Sequence, residues 1–294
     1  MVNCPEFDNL WRVVFLKLAS VTPSLCTESL GLAGLHLALV NPEQSSHFLL
    51  VSAKHYGEAL RGYREGIQHM SDKNSDALFA FSILNMLYVM AKNGPAFRSD
   101  DEDFSITARR SRIPGFDWIS MMRGVEAVLH PVYDYVRLRP LRPLLGVEGF
   151  DVLDPDCEKA PGDEHFRRLR ELWAGSTDAE VYDGTLHLLR KSHALMMRYA
   201  APGTAVRNDG AYNRAWSAPT IWLHYAPEEY FGLLRQLQPV ALILFDFFGA
   251  LLHSLDGHWF LAGWGRRITD SVDEFLGDFW KPWTEWPRSI VNSK

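Results

Sequence analysis

One carboxylate stands where a carboxylate is expensive. The segment Pro239–His253, PVALILFDFFGALLH, is apolar on every side except at Asp246. A helix that is apolar all round is a buried helix, and an unpaired buried carboxylate costs several kcal/mol if ionised, so Asp246 must find partners or keep its proton. At helical spacing it shares a face with Leu242, Ile243, Gly249, Ala250 and His253. Gly249 gives up about 1 kcal/mol of helix propensity, and with Ala250 it leaves room beside the carboxyl. Space, an acid and a histidine one turn on would suit a pocket wall in which the neutral carboxyl donates a hydrogen bond to a ligand oxygen. The competing reading lets another helix cross at Gly249 and Ala250 while Asp246 caps or pairs with an arginine. Both readings stand at this point. Arg123, in FDWISMMRGVEAVL, could pair with a buried acid or a ligand oxygen. The catalytic candidates are therefore Asp246, His253 and Arg123. The apolar lining expected around them is Trp118, Met122, Trp222, Tyr225, Phe245, Gly249, Trp259 and Trp264, whereas Trp280, Trp283 and Trp286 read as core or helix-cap aromatics.

Other chemistries lack their residues. The chain has no HExxH, no GxSxG, no phosphate loop and no GxGxxG; Gly263–Arg267, GWGRR, follows no strand. Cys4, Cys26 and Cys157 lack the paired spacing that holds zinc and read as small buried hydrophobes. His187 and His193, six apart, point to different helix faces. Neither a metal nor a cofactor is expected. A reaction in such a site would rely on orientation and one or two hydrogen bonds, as pericyclic cyclisation or isomerisation does.

The elements that must position these residues are helical. Leu49, Leu50, Ala53, Tyr56, Leu60, Tyr63 and Ile67 recur at spacings of three and four, and helix stops stand at Asn41-Pro42 and Asn93-Gly94-Pro95. No sustained period of two marks a strand. The expectation is an all-α single domain, a helical bundle around an apolar pocket, with long connections at about 96–115 and 131–161 and a further break from Ala200 to Pro219. Connections of that length suggest lids or mobile linkers. The nearest approach to a membrane span is Pro239–Leu252, interrupted by Asp246, so no span is expected. With 30 basic and 36 acidic residues, the net charge of −6 argues against direct DNA binding.

Three stretches taken in order carry a likeness: LWRVVFLKLASVTPSLCTESLGLAGLHLAL with AKHYGEALRGYREGI, then FDWISMMRGVEAVL, then PVALILFDFFGALLH, DGHWFLAGWGRRI and the close at Trp286-Pro287. From about Leu10 to Pro287 the chain resembles the C-terminal regulatory domain of fungal binuclear zinc-cluster transcription factors of the sterol-uptake-control type. That resemblance implies a helical ligand-binding domain with an apolar pocket for a sterol-like molecule, and a homodimer, since members are often dimeric. Family members place a six-cysteine zinc cluster ahead of this domain; here the expectation is the ligand domain without its DNA reader. They also tend to carry a small apolar residue in place of Asp246 and His-Tyr in place of Phe247-Phe248, a departure that a changed ligand would require.

Two functions follow as expectations. The first is a cofactor-independent cyclase or isomerase of fungal secondary metabolism, acting on a terpenoid, sterol or polyketide and residing in the cytoplasm. The alternative is a sterol- or lipid-sensing regulator domain, residing in the nucleus. A scaffold with no small-molecule site is the third class.

Overall fold

Proline, asparagine and glycine set most helix ends. In the computed structural model, which describes residues 10–97, 116–145, 149–200 and 211–293, the chain is all-α, with no strand among the described residues. The first expected connection falls at 98–115, outside them. By internal contacts the chain divides into two compact units, residues 1–97, 118–146 and 207–213 in one and the remainder in the other.

In the first unit a π-helical turn, Leu10–Phe15, runs into α1 (Leu16–Val21). Pro23 opens α2 (Pro23–Val40) and Asn41-Pro42 closes it. α3 (Ser45–Gln68) returns alongside, and the two backbones meet closely because the contact residues are small. A Cβ on Gly34 would stand 2.8 Å from the Ser52 Cβ, and the Ser52 hydroxyl donates to the Gly31 carbonyl at 2.7 Å. α4 (Ser75–Asn93) is buried along most of its length and ends at Gly94, as its all-round apolarity and the Asn-Gly-Pro stop require. Tyr56 stacks on Tyr88 at 3.9 Å and Tyr63 on Phe81 at 4.1 Å. α5 (Phe116–Leu129) follows.

By length and composition α2 is apolar enough to cross a membrane, and a third of it is buried. This corrects the expectation that Pro239–Leu252 comes nearest to a span. Cys26 and Cys157 are exposed, not buried as expected; Cys4 lies outside the described residues.

The expected connection after residue 131 is less bare than its prolines suggest. It holds α6 (Tyr133–Val136) and helical turns at His130–Val132 and Arg142–Leu144. Arg139 fastens it to the start of α4 by donating to the Asp72 carbonyl at 2.6 Å and the Ser75 hydroxyl at 3.1 Å.

One acid inside this unit has no place in the sequence reading. Glu28 of α2 is fully buried, neither of its oxygens has a hydrogen-bond partner among the described residues, and burial pushes its pKa up to about 8. A carboxyl raised in the folded state favours folding below its unfolded pKa near 4.5, and that contribution is lost as pH rises toward 8. Glu28 alone is expected to contribute a fall of about 1.4 kcal/mol per pH unit across that window. Glu28→Gln should lessen the dependence, matching the wild type at pH 4.5 and exceeding it at pH 8 in chemical denaturation; parallel curves would show that Glu28 is solvated.

The second unit is built around a single buried rod. α11 (Pro239–His253) is buried continuously from Ala241 to Leu252. Around it pack α8 (Ala179–Ala200), α10 (Glu228–Arg235), α12 (Trp264–Leu276) and α13 (Lys281–Asn292). Two further helices complete the unit. α7 (Asp163–Arg168) continues as a 3-10 turn through Trp173. α9 (Ala211–Tyr225) carries Pro219 in its interior, so the expected break up to Pro219 is corrected from residue 211 onward, and 201–210 lie outside the described residues.

The stretch 149–163, expected as a lid or linker, is tied down by the bases of α8. Arg190, with no exposed side-chain surface, grips Asp163 with two donors at 2.7 and 2.8 Å, reaches Asp156 at 2.8 Å and donates to the Pro155 carbonyl at 3.1 Å. Lys191 donates to the Asp151 carbonyl at 3.3 Å, and Arg198 pairs with Glu158. Acidic residues on the connection meet basic residues on the helix, so a segment without its own periodicity is held by charge.

Candidate functional site

Asp246 lies at the midpoint of α11, fully buried, with neither carboxyl oxygen hydrogen-bonded among the described residues. Its face is turned to α12. The Thr269 hydroxyl is the polar neighbour, yet it too completes no hydrogen bond. Loss of water drives the Asp246 pKa well above the ordinary carboxylate value, so burial favours the protonated group. Arg288 of α13 offsets this only in part, since that guanidinium is engaged by Asp273, Nε to Oδ2 at 2.7 Å, with Thr284 donating to the other Asp273 oxygen at 2.9 Å.

The space beside Asp246 is occupied. A Cβ on Gly249 would lie 2.8 Å from the Ile268 Cγ2, and one on Gly265 would lie 2.5 Å from the Gly249 carbonyl oxygen. Gly249 and Gly265 are thus the point where α11 and α12 cross backbone to backbone, the crossing-helix reading of the glycine. His253, at the end of α11, sets its Nδ1 3.0 Å from Asp256 Oδ2, and the other Asp256 oxygen accepts the Gly263 N–H at 3.2 Å. This histidine braces the turn into α12.

The aromatic candidates have several destinations. Trp222 is buried, donates its indole N–H to the Thr185 carbonyl at 3.1 Å and stacks on Phe248 at 4.7 Å; Phe245 stacks on Phe248 at 5.6 Å. These rings fill one another's space. Tyr225 is exposed and lies over Phe150 at 6.1 Å. Trp264 is buried at the start of α12, and half-buried Trp259 meets Phe260 edge-on at 5.9 Å. Trp118, Met122 and Arg123 belong to α5 in the first unit, whereas Asp246 and His253 belong to the second, so the expected site is divided between the units.

A cleft opens instead on another side of α11, at Phe247. It encloses about 300 Å³ between α7 and α13. Phe247 and Trp286 form its floor, stacked at 5.0 Å, and Phe166 supports both from below at 4.9 Å. At the rim the Arg168 guanidinium lies 4.6 Å from the Trp283 ring, and His165 stands 5.9 Å from Trp286. Volumes of this size fall at the lower end of small-molecule sites. A ring-sized apolar molecule could lie on the tryptophan floor with a polar end toward Arg168. The signal for this site was present in the sequence: Trp283 and Trp286 are three apart, on one face of a helix. Reading them as core hid it, and the partners His165 and Arg168 stand more than a hundred residues earlier.

With the geometry in place, comparison with known proteins gives the chain a family context. The family of fungal specific transcription factor domains matches it over residues 1–130. Over 280 residues, 92% of its length, the chain is also 22% identical to "Sterol uptake control protein 2" of Candida albicans, spanning 37% of that protein. No solved structure matches. The resemblance to fungal regulators drawn from the motifs therefore holds, and the fungal domain match falls largely on the helices of the first unit.

Proposed function

We propose that this chain is the ligand-sensing part of a fungal-type transcriptional regulator, responding to an apolar small molecule of the sterol or lipid class. The likeness to a sterol uptake control protein over 92% of the chain carries the reading. The cleft at Phe247, Trp283 and Trp286 is the candidate receiving surface. A nuclear location goes with this function. The cyclase or isomerase expectation depended on Asp246 facing a cavity, but its face meets Thr269 of α12; terpenoid or polyketide chemistry gains no support from the comparisons.

The test uses a fluorescent sterol such as dehydroergosterol, which accepts energy from tryptophan. Saturable transfer is expected. Trp283→Ala, at a half-buried position and with its helical circular dichroism checked against the wild type, should weaken binding about tenfold, the worth of one good aromatic contact. Absence of saturable transfer to the wild type sinks the sterol reading, and undiminished binding by the variant moves the site elsewhere.

A further inference from the structure

We propose that the molecule received at the Phe247 and Trp286 floor is an amphiphilic carboxylic acid, with its flat apolar body on the rings and its carboxylate in the fork of Arg168. This rests on the cleft being the receiving surface of a ligand sensor, and it names the chemical class of what is received.

Arg168 carries the inference. Among the described residues its guanidinium meets neither a carboxylate nor a hydrogen-bond acceptor; its contact is the ring of Trp283, 4.6 Å away. The bases beside it are already engaged by protein acids: the Arg170 Nε lies 3.4 Å from Asp183, and the His165 Nε2 lies 3.8 Å from Glu164. Contact with a ring face leaves the N–H donors of a guanidinium without acceptors. It also holds the group in place, so less side-chain freedom is lost when a carboxylate docks. A carboxylate is planar and can take two parallel N–H donors from that fork.

Water reaches Arg168, so a simple ion would gain little there. A carboxylate joined to an apolar body is different. The body is held by the stacked rings of Phe247 and Trp286, and it brings the charge to the guanidinium while shielding it from water on one side. Glu285 also edges the cleft. It stands two positions from Trp283 on α13 and is therefore turned about 200° from that ring, at the opposite margin. One unpaired base facing one distant acid suits a single negative charge. A phosphate, at about −1.5 to −2, would be left half neutralised. A neutral alcohol would leave the donors of Arg168 to water.

The probes are cis-parinaric acid and its methyl ester, which share one conjugated tail, accept energy from tryptophan and differ in charge at neutral pH. Titration of the whole chain, below the concentration at which either probe forms micelles, should show the acid binding about tenfold or more tightly than the ester, as one charge-assisted contact allows. Arg168→Gln, at an exposed position and with unchanged helical circular dichroism, should bring the acid down to the affinity of the ester and leave the ester unmoved. Arg168→Lys, which keeps the charge without the fork, should retain part of the preference. Equal binding of acid and ester by the wild type would overturn the proposal without recourse to any variant, and so would an acid preference that survives Arg168→Gln. Saturable binding of dehydroergosterol with no advantage for the acid would mark the cleft as a site for a neutral lipid. No saturable transfer to any of the three probes would remove the ligand-sensing function together with this proposal.

Discussion

Arg190→Ala is expected to remove about 3 to 5 kcal/mol from the second unit, the usual loss when one partner of a buried pair is deleted and the other is stranded. Asp163, itself almost fully buried, would keep its charge with no guanidinium to meet it, and the Pro155 carbonyl would lose its donor. For a body of this size the melting midpoint should drop by roughly 2 to 4 °C for each kcal/mol. The pairing can be separated from the packing: Arg190→Ala with Asp163→Ala should recover part of the loss, since no buried charge remains. Limited proteolysis locates the effect, with cleavage in 149–163 rising in the single variant. Unchanged stability in Arg190→Ala would mean that this connection is held by other contacts.

Asp246→Asn should act in the opposite direction. Because burial raises the Asp246 pKa in the folded chain, its contribution to stability is complete below the unfolded value near 3.8 and is lost as pH rises toward the folded one. The wild type therefore forfeits about 1.4 kcal/mol for every pH unit in that window. Asparagine keeps the shape and has no proton to lose. The variant is expected to equal the wild type in acid and to be more stable at pH 7.5, read by urea unfolding at the two pH values. Equal stability at pH 7.5 would show that the carboxylate is satisfied when ionised. The Glu28 experiment is its counterpart in the other unit, so the double variant Glu28→Gln with Asp246→Asn should show a shallower pH dependence than either single variant.

Much of the helical plan is legible residue by residue. Pro23, Asn41-Pro42 and Asn93-Gly94-Pro95 end helices through local sterics, which any chain with those residues would share. The burial of α11 is equally local, because no face of it could meet water cheaply. What escaped reading depends on distant partners. Pro219 looks like a break since it lacks an N–H, but Ile221 and Trp222, buried just beyond it, hold α9 in place. Glu28 looks like an ordinary surface acid until α3 and α4 close over it. Gly249 announced a need for space, and only Gly265 and Ile268, more than fifteen residues later, say that a neighbouring helix and not a ligand fills it. The cleft needed Arg168 and Trp283 to be brought together by packing that no short window contains.

The glycine crossing also decides where the second unit can yield. Seams made of side chains absorb small displacements by changing rotamers. At Gly249 and Gly265 backbone meets backbone, with Ile268 packed against Gly249, which leaves α11 and α12 little room to shift and joins them as one plate. The seam between α11 and α13 is different, because it runs through stacked rings, Phe247 on Trp286, that can slide. A molecule wedged into the cleft would therefore prise α13 outward and leave the plate intact. In a sensor built this way the C-terminal helix is the moving pointer, and the buried rod is the fixed scale against which it is read.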